Sequence, residues 1–178
     1  ETSVVGASTS ELMLTMGTVL EIAKDVNPNE LIDNRASYNN YAVWIPIRNN
    51  DGTYSKKLTL ISEHKKVAKG YLPLTKANIS KVALSALGNT YGWGGSLYSD
   101  DCSGYMRNVY KCFGLELARN TTWQTSMPMA KVDMQYMPKE ERIKFLNSFP
   151  LGTILYFNGH EMMYLGERDG KYYVISAV

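Results

Sequence analysis

The sequence predicts an α+β protein in two parts, a small strand-rich unit over residues 1–74 and a helix-and-sheet domain over residues 75–178. Three observations predict it. The apolar pattern changes from period two to period 3.6 at Tyr71-Leu72-Pro73-Leu74. Tyr105, Met106, Val109, Tyr110 and Phe113 recur at helical spacing in the second part. Asn158-Gly159, a strong hairpin signal, then returns the chain to strand. With 178 residues, 44% of them hydrophobic and 20% charged, the chain is not of the disordered class. A net charge of +2 is too mild to argue for nucleic acid as a partner. No run approaches the ~18 apolar residues of a membrane span, and the N-terminus lacks the basic-then-apolar pattern of a signal peptide.

Within the first part, Leu12 to Leu20 reads either as a strand pair broken at Gly17 or as a helix. Tyr41 to Arg48 reads as a strand whose Pro46 favours an edge or a bend. Asn49-Asn50-Asp51-Gly52 is a turn cluster, and Lys57 to Ile61 is the returning strand of a hairpin with its turn at Asp51-Gly52. Short strands joined by polar turns suggest a small barrel or sandwich.

In the second part Thr75 is placed to cap a helix whose face is Ile79, Val82, Ala83, Ala86 and Leu87, with Gly88 ending it. A glycine-rich loop, Tyr91-Gly92-Trp93-Gly94-Gly95-Ser96, leads to a second helix from near Asp101 to Gly114. Trp123 and Gln124 fall on the loop after it. Pro138 to Phe149 reads as a third helix with proline in the first turn. Thr153 to Phe157 and His160 to Leu165 form a hairpin, and Glu167-Arg168-Asp169-Gly170 turns the chain into a last strand over Lys171 to Ile175. Period two buries one of Met162 and Met163.

Few residues are equipped for chemistry. Two histidines and two cysteines leave a zinc site short of ligands, so no metal and no cofactor are expected. Cys102 and Cys112 stand ten residues apart on one helix, about 15 Å of rise, and do not pair with each other. Cys102 lies in the first turn, where the helix dipole favours the thiolate. A free thiol of pKa about 8.5 is only a few per cent ionised at neutral pH, so a base is needed. His160, opening a strand after a tight turn, is the natural candidate, whereas His64 sits among charged residues and reads as solvated surface. Taken alone, Asp101 reads as a helix cap and Cys102 as a small buried residue. A glycine loop, a helix-start cysteine and a strand-start histidine in that order form an arrangement for nucleophilic catalysis. Trp93 reads as packing beneath the glycine loop ahead of substrate contact, and Arg119 as a solvated arginine ahead of a partner for a substrate carboxylate.

Tyr91-Gly92-Trp93-Gly94-Gly95, Asp101-Cys102-Ser103-Gly104, and Leu151-Gly152-Thr153 leading to Gly159-His160-Glu161-Met162-Met163-Tyr164-Leu165-Gly166 together resemble the NlpC-type cell-wall cysteine peptidases of the NlpC and p-sixty superfamily. The resemblance covers residues 75–178. Gly70 to Thr75 also resembles the entry to the catalytic domain in members that carry a bacterial Src-homology-3-like barrel upstream. What this implies is a papain-like core, with the cysteine helix packed on an antiparallel sheet that carries the histidine, preceded by a small β-barrel over residues 1–74. The implied reaction is hydrolysis of peptidoglycan stem peptides, typically between γ-D-glutamate and a diamino acid, with Cys102 as nucleophile and His160 as base. Asp101 and Ser103 match positions that hold the substrate's free amine, Tyr91 matches an active-site tyrosine near the oxyanion, and Trp93 borders the same loop. The implied partner is a muropeptide or the wall itself, and the implied location is extracellular or at the cell envelope, with cytoplasmic recycling as the other setting. Two further readings stand beside this one: a wall-binding module with a decayed site, and a Cys–His amidase cutting another wall bond.

One position departs from the family. Ser176 stands where a third polar residue, most often histidine, orients the catalytic ring. A loop over Gly166 to Gly170 puts Ser176 directly opposite His160; a two-residue Asp169-Gly170 loop carries the partner of His160 past the chain end.

Overall fold

Alternating apolar residues and a polar turn build the first sheet. The computed structural model describes residues 13–27 and 29–178, and the chain divides into two compact units. The second comprises Thr15–Gly17 and Tyr71–Val178; the described residues through Gly70 otherwise belong to the first. Three antiparallel strands, β1 (Glu21–Ile22), β2 (Asn40–Arg48) and β3 (Tyr54–Ser62), form the sheet of the first unit in the order β1-β2-β3. The β2–β3 ladder is regular from Asn40↔Ser62 to Arg48↔Tyr54, and residues 49–53 close it. In that loop Asp51 accepts from the Thr53 backbone N–H and hydroxyl at 2.9 and 2.7 Å, the local chemistry that marks a turn. Val43, Ile45 and Leu60 are buried on the sheet. No second sheet closes this one into a barrel among the described residues.

Leu12 lies outside the described residues. From Met13 to Leu20 the backbone forms neither helix nor strand pair, only a turn at Met16-Gly17, which corrects the expectation of a regular element. Met16 packs against the core of the second unit, so its apolar side chain answers a tertiary contact and not a local period.

In the second unit α1 (Lys76–Leu84) begins at Thr75, whose hydroxyl accepts from the Asn78 N–H at 3.2 Å. The helix stops at Leu84, and turns carry the chain to Gly88, several residues short of the expected end. The helix α2 (Cys102–Lys111) buries Tyr105, Met106 and Val109 against Ile79 and Ala83 of α1 and against Met163. Burial of such side chains contributes about 1.5–3 kcal/mol each. The Tyr105 hydroxyl donates to the Ala83 carbonyl at 2.8 Å, fixing α1 to α2. A short helix, α3 (Thr121–Ser126), occupies the segment expected to be loop. Asn120 caps it by accepting from the Trp123 N–H at 2.9 Å. The helix α4 (Lys139–Ser148) follows Pro138 as predicted. None of the described helices is long and apolar enough to cross a membrane.

The second sheet is antiparallel in the order β4 (Ile154–Phe157), β5 (His160–Arg168), β6 (Lys171–Ile175). Asn158-Gly159 closes the first hairpin with Phe157↔His160 as its last pair, which puts His160 at the head of β5. The second hairpin has a two-residue loop in which Asp169 and Gly170 both take left-handed φ, 55° and 74°. A bulge between Tyr164 and Gly166 then shifts the register, giving Met163↔Ile175. Met163 is fully buried and Met162 is not.

Candidate active site

Asp101 sets the head of α2. Its Oδ1 accepts from the Gly104 N–H at 2.7 Å and from the Ser103 hydroxyl at 3.2 Å. Arg119 then clamps the same carboxylate with both terminal nitrogens, Nη1 to Oδ1 at 3.0 Å and Nη2 to Oδ2 at 2.8 Å. Gly94 N–H reaches Oδ2 at 3.0 Å, so one carboxylate joins the glycine loop, the helix start and Arg119. Burial pushes the Asp101 carboxyl up, but the Arg119 guanidinium and the Gly104 N–H outweigh it and hold the group below its ordinary value. Arg119 also donates to Ser103 Oγ at 3.3 Å. The arginine is therefore a structural ion-pair partner, which corrects the reading of it as a solvated side chain. Asp101 and Ser103, the expected amine holders, are both engaged by it.

Cys102 follows at the first helical position, 7% exposed, with a free thiol. Its Sγ lies 3.9 Å from the Thr121 hydroxyl of α3. The N–H of Gly104 is taken by the Asp101 side chain and that of Tyr105 by the Asp101 carbonyl at 2.9 Å. Helix geometry leaves those of Cys102 and Ser103 without an intrahelical partner. Tyr91 is bridged to Asp100 just ahead of the cysteine. Its phenol is pushed up by burial first and then by the negative charges of Cys102 and Asp101.

The glycine loop is tight for a physical reason. Gly92 donates to the Asp100 carbonyl at 3.0 Å, and a Cβ there would collide with the Ser96 carbonyl oxygen and stand 2.9 Å from Ser99 Cβ. Beyond it Leu97 and Tyr98 take left-handed φ of 56° and 54°, a conformation that costs non-glycine residues about 1 kcal/mol or more each. Trp93, Leu97 and Tyr98 are 81%, 80% and 75% exposed. Trp93 is thus not packed beneath the loop, and the expectation of a packing role is corrected.

His160 comes from β5, which packs on α2 through Met163 against Met106 and Val109. Its Nε2 lies 2.9 Å from Ser176 Oγ. That oxygen also lies 2.9 Å from the Glu161 carbonyl and 3.3 Å from that of Ala177. The hydroxyl has one proton for the two carbonyls and the ring; with that proton on the Glu161 carbonyl, Ser176 Oγ accepts from Nε2–H. The tautomer so assigned leaves Nδ1 unprotonated and able to take a proton. Ser176 reaches the ring without standing directly opposite it. Beyond the bulge the ladder pairs Ile175 with Met163, and the five-residue loop assumed for direct pairing is not formed.

The sequence assigns no role to Thr121 or Glu161 and places Gln124 on a loop, where the structure has a helix. Gln124 is fully buried and its amide donates to the carbonyls of Ser103 at 3.1 Å and Ala118 at 2.9 Å, tying α3 to α2. The cap signal Asn120-Thr-Thr-Trp was the available clue to α3. Glu161 is 0% exposed and neither carboxyl oxygen has a hydrogen-bond partner. Burial pushes its pKa up to about 7, with the Thr121 hydroxyl opposing and the Asp101 charge adding.

The model of the NlpC/P60 family matches residues 88–172, a stretch that contains Cys102 and His160 and ends before Ser176. No curated protein matches the chain. Among solved structures, an NlpC/P60 endopeptidase from Photobacterium damselae subsp. piscicida is similar in fold, with a TM-score of 0.58 at 21% identity over 75% of this chain. The chain spans about a third of that protein's length, the match covering 32% of it.

Proposed function

We propose that the chain is a cysteine peptidase that hydrolyses peptidoglycan stem peptides, with Cys102 as nucleophile and His160 as base, cutting between γ-D-glutamate and a diamino acid. The observation that carries the reading is the Ser176 hydroxyl on the His160 ring, because it leaves the ring's other nitrogen basic. The family match over residues 88–172 supports the same reaction class. In this mechanism His160 accepts the Cys102 proton, and the thiolate attacks the scissile carbonyl. The N–H groups of Cys102 and Ser103 at the head of α2 stabilise the oxyanion, aided by Tyr91. His160 then protonates the leaving amine, and water hydrolyses the acyl-enzyme with His160 again as base.

The exposed Trp93 borders this cleft and offers a face to substrate. A substrate ammonium at Asp101 has to displace the Arg119 guanidinium, whose side chain is 40% exposed. Free-amine peptides are then cleaved faster than N-acetylated ones; equal rates would leave Asp101 a purely structural role. The setting of such a reaction is the cell envelope. Cys102→Ala tests the whole reading: hydrolysis of a γ-D-glutamyl-diamino acid peptide is expected to vanish while the far-ultraviolet dichroism is unchanged. Retained hydrolysis would falsify the assignment.

A further inference from the structure

Glu161 stands beside this site without work in the mechanism, and its surroundings are unusual. It follows His160 on β5, it is fully buried, and both of its oxygens lack partners. Directly across the ladder stands Tyr156 of β4, whose hydroxyl is likewise buried and unpartnered. From the head of α2 the charge that reaches Glu161 is Asp101, itself paired with Arg119. From α3 comes Thr121, whose hydroxyl draws the carboxyl's pKa down as a side-chain hydrogen-bond partner, at a geometry looser than a full hydrogen bond. From the strand side Ser176 offers an uncharged hydroxyl, which bonds the Glu161 backbone carbonyl. No cation among these groups compensates a buried carboxylate, so the neutral acid is the favoured form in a dry site. Thr121 is at the same time 3.9 Å from the Cys102 sulfur.

We propose that Glu161 is a positioning residue that keeps Cys102 reactive only while its own carboxyl is protonated, acting through the Thr121 hydroxyl. The inference rests on Cys102 being the nucleophile. The neutral carboxyl O–H donates to Thr121 Oγ1, which turns the threonine's own proton toward the sulfur and stabilises the thiolate. When Glu161 gives its proton to water, the carboxylate attracts the Thr121 proton by a charge-assisted bond. The sulfur then faces an oxygen lone pair and a second negative charge. The direction runs against ordinary thiol chemistry. Raising pH ionises more thiol in general, yet here ionisation of Glu161 holds the Cys102 thiolate back.

The test is the rate of iodoacetamide alkylation at Cys102, followed by mass spectrometry from pH 5.5 to 8.5, in the wild-type chain and in Glu161→Gln. The amide keeps the shape and a donor but cannot ionise. At pH 8 the variant is expected to react at least threefold faster than wild type, and at pH 5.5 within twofold of it. Superimposable profiles overturn the proposal. The carboxyl carbon resonance of Glu161 in the wild-type protein gives a second reading that needs no variant. A midpoint near neutrality that coincides with the break in the alkylation profile supports the proposal, and a carboxyl already ionised at pH 5 overturns it. Hydrolysis by Cys102→Ala overturns the peptidase reading instead, so the two failures are told apart.

Discussion

Ser176 meets the His160 ring through one short side chain whose hydroxyl also lies 2.9 Å from the Glu161 carbonyl. It can fix the tautomer, but in the proposed mechanism it offers no charge to stabilise the imidazolium formed when His160 takes the thiol proton. Ser176→Ala is therefore expected to lower kcat on the order of tenfold with KM nearly unchanged, because only ring orientation is lost. Ser176→His, which supplies a ring partner, is expected to retain activity; steady-state kinetics on one stem peptide checks both. Motif order alone singled out Ser176, which the structure places in contact with the ring. Its register was not legible, because a bulge between Tyr164 and Gly166 changes the pairing that loop length predicts. Arg119 and Glu161 escaped for a related reason. A lone arginine on a loop and a glutamate in an alternating strand acquire meaning only from what the fold sets beside them.

At the level of elements, the starts of α1 and α2 and the first hairpin of the second sheet were legible, since Thr75, Asp101 and Asn158-Gly159 act through bonds to their immediate neighbours, while the loop of the second hairpin stayed open between two lengths. The helix α3 was not legible, as six residues are too few to display a period. Met13 to Leu20 misled in the opposite sense: its apolar spacing suits a regular element, while the segment serves to carry Met16 to the core. Asp101 links α2 to the glycine loop, and its removal should be felt by both. Asp101→Ala is expected to cost about 1 kcal/mol from the lost cap alone, whereas Asp101→Asn keeps an acceptor for Gly104 and loses less. Thermal denaturation ranks them, with about 2–4 °C per kcal/mol for a protein of this size. An alanine variant as stable as wild type would remove Asp101 from the framework of α2.

For the molecule as a whole, two carboxyls, one buried and one half-buried, make stability depend on pH in opposite senses. Burial raises Glu161 from 4.5 to about 7 in the folded protein. Its favourable contribution is complete below pH 4.5 and is lost as pH rises through 7, a change of roughly 3 kcal/mol. Asp101 is lowered from 3.8, net of its burial, by Arg119 and Gly104, so its contribution is present above that value and disappears as acid is added. Glu161→Gln is thus expected to melt several degrees above wild type at pH 8 and at the same temperature near pH 4.5. A constant offset across that range would mean that charge is not the cause. At this scale the two compact units divide at Gly70-Tyr71, and the packing of Thr15–Gly17 with the later segment had no local signature in the sequence. The outward-held indoles have a last consequence. Trp93 and Trp123 are 81% and 65% exposed, on the loop and the helix that flank Cys102. Their emission is therefore open to aqueous quenchers, and under the proposed function a Cys102→Ala variant carries its own optical gauge of occupancy, brightening or shifting to shorter wavelength as a bound peptide covers the rings.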